Sequence, residues 1–249
     1  MFRLLLVQVL IALALGAELQ KRIKVESKSI FSLVEYTNFH KYPHHASLQY
    51  DGVYVCGASI ISDIAVLTAA QCTLTHTILS VRYATSFYNA GGELLKVSRI
   101  FQHPQYNPNT YDNDISVLTL SSRMSRLTIA KPIRLVNTKA VEENREGHVT
   151  GWGHKEALHI LTARKAKEID RARCHDYYVR ANKTLTESMV CFSDPAQNPC
   201  QGDEGSALVV DGQQVGILSW GYSCDKYYWP VVYTDVLYHR AFIKQYAYV

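Results

Sequence analysis

An all-β fold, a sandwich or barrel of short antiparallel strands, is what the sequence predicts, and three observations predict it. Asp51-Gly52 in "SLQYDGVYVCG" and Asp211-Gly212 in "SALVVDGQQVGILSWG" each sit between apolar segments, the pattern of a tight β-hairpin. Short strand-like apolar runs recur between turn-rich loops along most of the chain. A single segment, close to the C-terminus, carries a convincing helical period.

Taken in order, the N-terminal "MFRLLLVQVLIALALGA" joins Arg3, an apolar run and the small residues Gly16 and Ala17, the layout of a secretory signal peptide over residues 1–17. The run is too short and wrongly flanked for a membrane anchor, and no second stretch approaches spanning length. A soluble, exported mature chain is expected, after a short pro-segment over residues 18–22. The first hairpin comes next, and then "AVLTAA", "LSVRY", "LKVSRIF", "DISVLTL" and "HVTGWG" read as strands ahead of the second hairpin. From Val236 to Tyr246, apolar Val236, Phe242, Ile243 and Tyr246 share much of one helical face.

With 249 residues, 47% hydrophobic and 19% charged, the chain can bury a sizeable core. Its net charge of +4 is scattered rather than striped, which gives no nucleic-acid footprint and reads as a solvated exterior. Six cysteines in an exported chain predict three disulfides, whose connectivity spacing leaves open. Each should add about 3 kcal/mol on the chain-entropy argument. No CxxC pair suits zinc, and "YATSFYNAGGE" offers calcium only Glu93, so no metal or cofactor is expected. Asn182 in "NKT" is an N-glycosylation acceptor and should lie at the surface.

"VLTAAQC", "YDNDISVL" and "CQGDEGSALV", with "GWG" at Gly151 to Gly153 and "SWG" at Ser219 to Gly221, carry a resemblance. From about Ile23 to its end the chain resembles a trypsin-like, chymotrypsin-fold serine protease. The resemblance implies two six-stranded antiparallel β-barrels packed together around a cleft, with a C-terminal helix. The first barrel would span about 23–135, the second about 136–235 and the helix about 236–249. It also implies bridges joining Cys56 with Cys72, Cys174 with Cys191, and Cys200 with Cys224.

Acyl transfer by this machinery needs a hydroxyl nucleophile, an imidazole base and a carboxylate that orients the base. The matching positions hold Gln71 for the histidine, Asp114 for the aspartate and Glu204 for the serine. A glutamine amide does not titrate near neutral pH and cannot serve as a general base. In a related triad on another fold, loss of either reacting residue lowers kcat by about 2 × 10⁶. At about 1.36 kcal/mol per tenfold, that is roughly 8 to 9 kcal/mol. The oxyanion hole implied at Gly202 and Glu204 would face a carboxylate on its own residue, which opposes a developing negative charge. His44, His45 and His76 read as loop surface histidines, and a glycosidase-like use of Glu204 with Asp114 has no support from the fold. The expectation is therefore a pseudoprotease with no functional catalytic residue.

Within the same frame, the specificity pocket is altered. Neutral Asn198 stands at its base, Ser219 and Gly221 are kept, and Ser223 and Val231 line its wall, with Val231 narrowing it. Ser206 and Ala207 replace the usual Gly and Pro. The segment "QKRIKVE" resembles a zymogen junction cut after Arg22, whose freed Ile23 amine would pair with Asp203. Lys24, Val25 and Glu26, however, replace the usual Val-Gly-Gly and so remove two permissive glycines.

A bridged, exported scaffold with large loops suits partner binding. Tyr222, Tyr227, Tyr228 and Trp229 form one candidate partner surface, and Tyr177 and Tyr178, with Arg171, Arg173 and Arg180, form another. Among inactive homologues the chain is most similar to mite trypsin-like allergens and their inactivated protease paralogues. That likeness implies a monomeric, secreted decoy or inhibitor of a host defence cascade such as complement, with no nucleic-acid or membrane partner. The competing class is an atypical endopeptidase with displaced machinery. One further expectation concerns Gln71: its amide should donate to both Asp114 and Glu204.

Overall fold

Asp51 and Gly52 have φ of 49° and 77°, and Asp211 and Gly212 have 48° and 70°. Two successive left-handed residues make the type I′ turn whose twist suits paired strands, so both hairpins form where the sequence places them. The first joins β1 (His45–Tyr50) to β2 (Val53–Ile60). Next come β3 (Ala65–Thr68), β4 (Leu79–Tyr83), β5 (Glu93–Gln102) and β6 (Ser116–Leu120). These six close into an antiparallel barrel in the order β1-β2-β3-β6-β5-β4.

The computed structural model describes residues 35–75, 78–138, 144–153, 160–193, 203–221, 229–247 and 249. Both barrels belong to the unit Tyr36–Val249. The expectations placed on the signal peptide, the pro-segment, Ile23, His76, Asn198, Cys200, Gly202, Tyr222, Ser223, Cys224, Tyr227 and Tyr228 lie outside the described residues.

A second ring is built from β7 (Glu146–Gly151), β8 (Thr162–Glu168), β9 (Met189–Ser193), β10 (Ala207–Val210), β11 (Gln213–Trp220) and β12 (Val231–Asp235). Its order is β7-β8-β9-β12-β11-β10, closed by pairing of β10 with β7. The two rings thus repeat one connection pattern, the two-barrel fold the resemblance implies. The second hairpin, at Asp211-Gly212, joins β10 to β11.

Closing each sheet removes its exposed edges, and the inward residues then make the core. One continuous apolar cluster runs from Leu48, Ile60, Leu67 and Leu118 in the first ring to Val149, Phe192, Leu208 and Tyr233 in the second. Each such side chain contributes about 1.5–3 kcal/mol by leaving water. Polar contacts also cross between the rings. Ser59 Oγ donates to Gln214 Oε1 at 2.8 Å, and the Gly57 N–H donates to the Glu204 carbonyl at 2.8 Å.

The C-terminal helix, α2, spans Arg240–Ala247 and starts later than its apolar pattern suggests. Asp235 Oδ1 accepts from the N–H groups of Leu237 and Tyr238, at 2.8 and 3.3 Å, and bends residues 236–239 into a turn. A second helix, α1 (Arg171–Val179), is one the sequence does not announce. Asp170 caps it, accepting from Ala172 and Arg173 at 2.9 and 3.1 Å. Only Cys174 and Tyr178 of that helix are buried, so its apolar period is too sparse to read.

Among the described residues, two bridges fix these pieces. Cys56 and Cys72 are bonded, as are Cys174 and Cys191, the latter tying α1 to β9. The reading of His44 and His45 as surface histidines is corrected. Both are buried, and His45 Nδ1 lies 3.1 Å from Thr150 Oγ1 in the second ring. Burial pushes the His44 imidazole down to about 4 and that of His45 to about 3, so both stay neutral at physiological pH.

Candidate active site

Strand β3 ends at Thr68, and the short 3-10 turn Ala70–Thr73 then carries Gln71 toward the second ring. Asp114, fully buried, sits just before β6. Its Oδ1 accepts from the Gln71 N–H at 2.9 Å, and its Oδ2 accepts from Gln71 Nε2 at 2.7 Å and from Ser219 Oγ at 2.5 Å. Burial pushes the Asp114 carboxyl up, while the bonds from Ser219 and Gln71 pull it back.

The second hydrogen of the Gln71 amide goes to the Ser219 carbonyl oxygen at 2.7 Å. The expected bridge to Glu204 is therefore corrected: the amide joins Asp114 to β11 rather than to the 204 position. An amide NH₂ has two donors, and both are committed.

Glu204 lies in a turn held by main-chain atoms. Its carbonyl accepts from Gly57 N, the Gly205 N–H donates to Leu218 O at 2.8 Å, and the Ser206 N–H donates to Asp203 O at 3.1 Å. Gly205 has φ of 84°, and a Cβ there would come within 2.2 Å of Thr68 Oγ1 and 2.3 Å of Gly57 O. Only glycine fits both demands. The turn thereby docks beside the strand that delivers Gln71.

Asp203, the residue before it, is buried. Its Oδ1 accepts from the Gly153 N–H at 2.7 Å, and its Oδ2 meets Arg164 Nη1 at 3.0 Å, each side chain being 1% exposed. Arg164 was not foreseen from the sequence. Its signal was strand parity over the second half of β8, where buried Arg164 and Ala166 alternate with exposed Lys165 and Lys167.

Of the pocket wall, Ser219 and Val231 are buried, and Val231 Cγ1 lies 3.8 Å from where a Cβ on Gly221 would stand. Branched bulk therefore abuts Gly221. On the candidate partner surfaces, Tyr178 is corrected. It is fully buried, its hydroxyl donates to Pro230 O, and its ring packs at 4.6 Å from that of Trp220. Tyr177 and Trp229 remain half-buried, with ring centroids 5.9 Å apart, and Asn182 is exposed. A groove nearby, lined by Tyr111, Asn182, Lys183, Thr184 and Trp220, was likewise unforeseen. Glu93, the lone calcium candidate, accepts a hydrogen bond from the Tyr83 hydroxyl, and no metal-binding cluster occurs among the described residues.

A family description headed Trypsin matches residues 34–243. The chain belongs to the trypsin-like serine protease family. Trypsin alpha-4 of Lucilia cuprina is 33% identical over 213 residues, covering 83% of either chain. Trypsin Blo t 3 of Blomia tropicalis is 35% identical over 214 residues, covering 81% of this chain and 80% of the relative. Among solved structures, neuropsin, a serine protease expressed in the limbic system of mouse brain, superposes with a TM-score of 0.77. It is 30% identical, over 85% of this chain and 97% of its own.

These findings correct one expectation. The trypsin-family chain is placed among proteins named as trypsins and serine proteases, and the statement that it is not an enzyme is overturned by that placement. What remains is chemical: a glutamine amide does not titrate near neutral pH, so any hydrolysis by this chain takes its general base from a group other than Gln71.

Proposed function

We propose that this trypsin-family chain is exported and acts by holding other proteins in and around its cleft, as a decoy or inhibitor within a host proteolytic cascade such as complement. The observation that carries this reading is Gln71, whose two amide hydrogens are committed to Asp114 Oδ2 and Ser219 O. A docking segment would meet a fixed, non-titrating cleft wall, suited to retention. The groove of Tyr111, Lys183 and Trp220 adds aromatic and cationic surface beside it. Two disulfides among the described residues favour an oxidising compartment. Likeness to the Blomia tropicalis trypsin supports a mite setting.

The test is complement-driven lysis of sensitised erythrocytes with purified chain added. Dose-dependent inhibition is expected, weakened at least tenfold by the pair Tyr111→Ala and Trp220→Ala. Lysis unchanged at micromolar protein would overturn the complement assignment.

A second reading, an atypical serine-type endopeptidase, is favoured by the names of the relatives. A fluorophosphonate probe and a broad peptide panel distinguish the two. Labelling and turnover abolished by one substitution would establish the endopeptidase.

A further inference from the structure

We propose that Arg164 is the built-in counter-ion of Asp203, and that it sets the 203–206 turn in the uncut chain, so that the cleft forms without an amine released at Arg22.

The cradle around Asp203 is specific to a carboxylate. A Cβ on Gly151 would stand 1.9 Å from Asp203 Oδ1, so the end of β7 must be glycine for the carboxylate to lie there. Gly153, at φ of 61°, turns its N–H onto the same oxygen. Strand β8 supplies the cation: Thr162 pairs with Gly151 and Arg164 with Val149, which brings the guanidinium alongside. Among the described residues, the donor set is thus drawn from two adjacent strands.

Charge then decides the matter. A carboxylate that is 1% exposed needs a compensating charge, and a guanidinium that is itself 1% exposed supplies it at 3.0 Å. With the guanidinium in place, the carboxylate has its counter-charge before any amine is released. Fixing Asp203 also fixes the rest of the turn, since the Asp203 carbonyl accepts from Ser206 and the turn is tied to Gly57 and Leu218. Arg164 is a positioning residue acting through Asp203 on residue 204. The inference holds for either reading of function, because it concerns the chain alone.

Full-length chain carrying Arg22→Gln, which blocks the cut, is compared with chain cut after Arg22, with and without Arg164→Met. Hydrogen exchange at the Gly205 and Ser206 amides is the local readout. With Arg164 present, uncut and cut forms should exchange within about twofold of one another. Arg164→Met should speed exchange in the uncut form by roughly 10²-fold or more, and Arg164→Lys should recover most of the loss. If the amides of the uncut chain exchange like an unstructured segment until the cut is made, the amine is the counter-ion and the proposal fails. Where Arg164→Met does not fold, Arg164→Met with Asp203→Asn should fold, because neither member of the pair is then charged. Less than a tenfold gain in folding equilibrium from adding Asp203→Asn would also overturn it.

Discussion

At the scale of single residues, Gln71 keeps Asp114 satisfied. It provides two donors to that carboxylate, one from its backbone and one from its amide, beside those of Ser219 and the Ala70 backbone. Gln71→Leu should leave a buried carboxylate short of a donor and cost about 1–3 kcal/mol, read from the urea midpoint. Gly205→Ala should cost more, above roughly 3 kcal/mol, because it combines a left-handed φ of 84° with collision against Thr68 and the Gly57 carbonyl. A sharply lowered Tm, or failure of export, would be the readout. The identities at positions 71, 114 and 204 are legible in the sequence, but their partners are not. Ser219 O reaches the Gln71 amide only because β11 folds back across some 148 residues of chain, a geometry that no local pattern encodes.

Among the elements, the hairpins were readable because Asp-Gly at a tight turn is a local signal, and both turns took the backbone it demands. Helix α1 was not readable, since "RARCHDYYV" buries only Cys174 and Tyr178 and is held by a cap and a bridge instead of an apolar face. Tyr178, set aside for a partner, is drawn inward by that same spacing of four residues, which puts it above Cys174. Asp170→Ala should therefore weaken the helix by about 1 kcal/mol in chemical denaturation. Replacing Cys174 and Cys191 together by serine should cost roughly 2–5 kcal/mol, seen as a lowered thermal midpoint that reductant shifts less than it shifts the parent's. The C-terminal helix shows the opposite error. Its apolar face was recognised, but the Asp235 side chain converts the first four positions into a turn.

For the molecule as a whole, two rings of identical connection order share one core, and among the described residues three histidines, His44, His45 and His239, are buried. Burial holds His44 and His239 down to about 4 and His45 to about 3, whereas in the unfolded chain each titrates near 6.5. The unfolded state thus binds more protons in this window, so the histidines' contribution is complete above pH ~6.5 and is lost as pH falls toward about 4. His239→Gln should flatten that acid loss relative to the parent, measured as urea midpoint against pH. An unchanged slope would show that His239 does not drive it. The anchoring of the 203–206 turn has a last consequence. Gly57 and Leu218 hold the turn through main-chain atoms, bonds that an L-residue of any kind at position 204 can make. Lineages, or designers, can therefore exchange the chemistry at this spot while those two main-chain anchors stay in place.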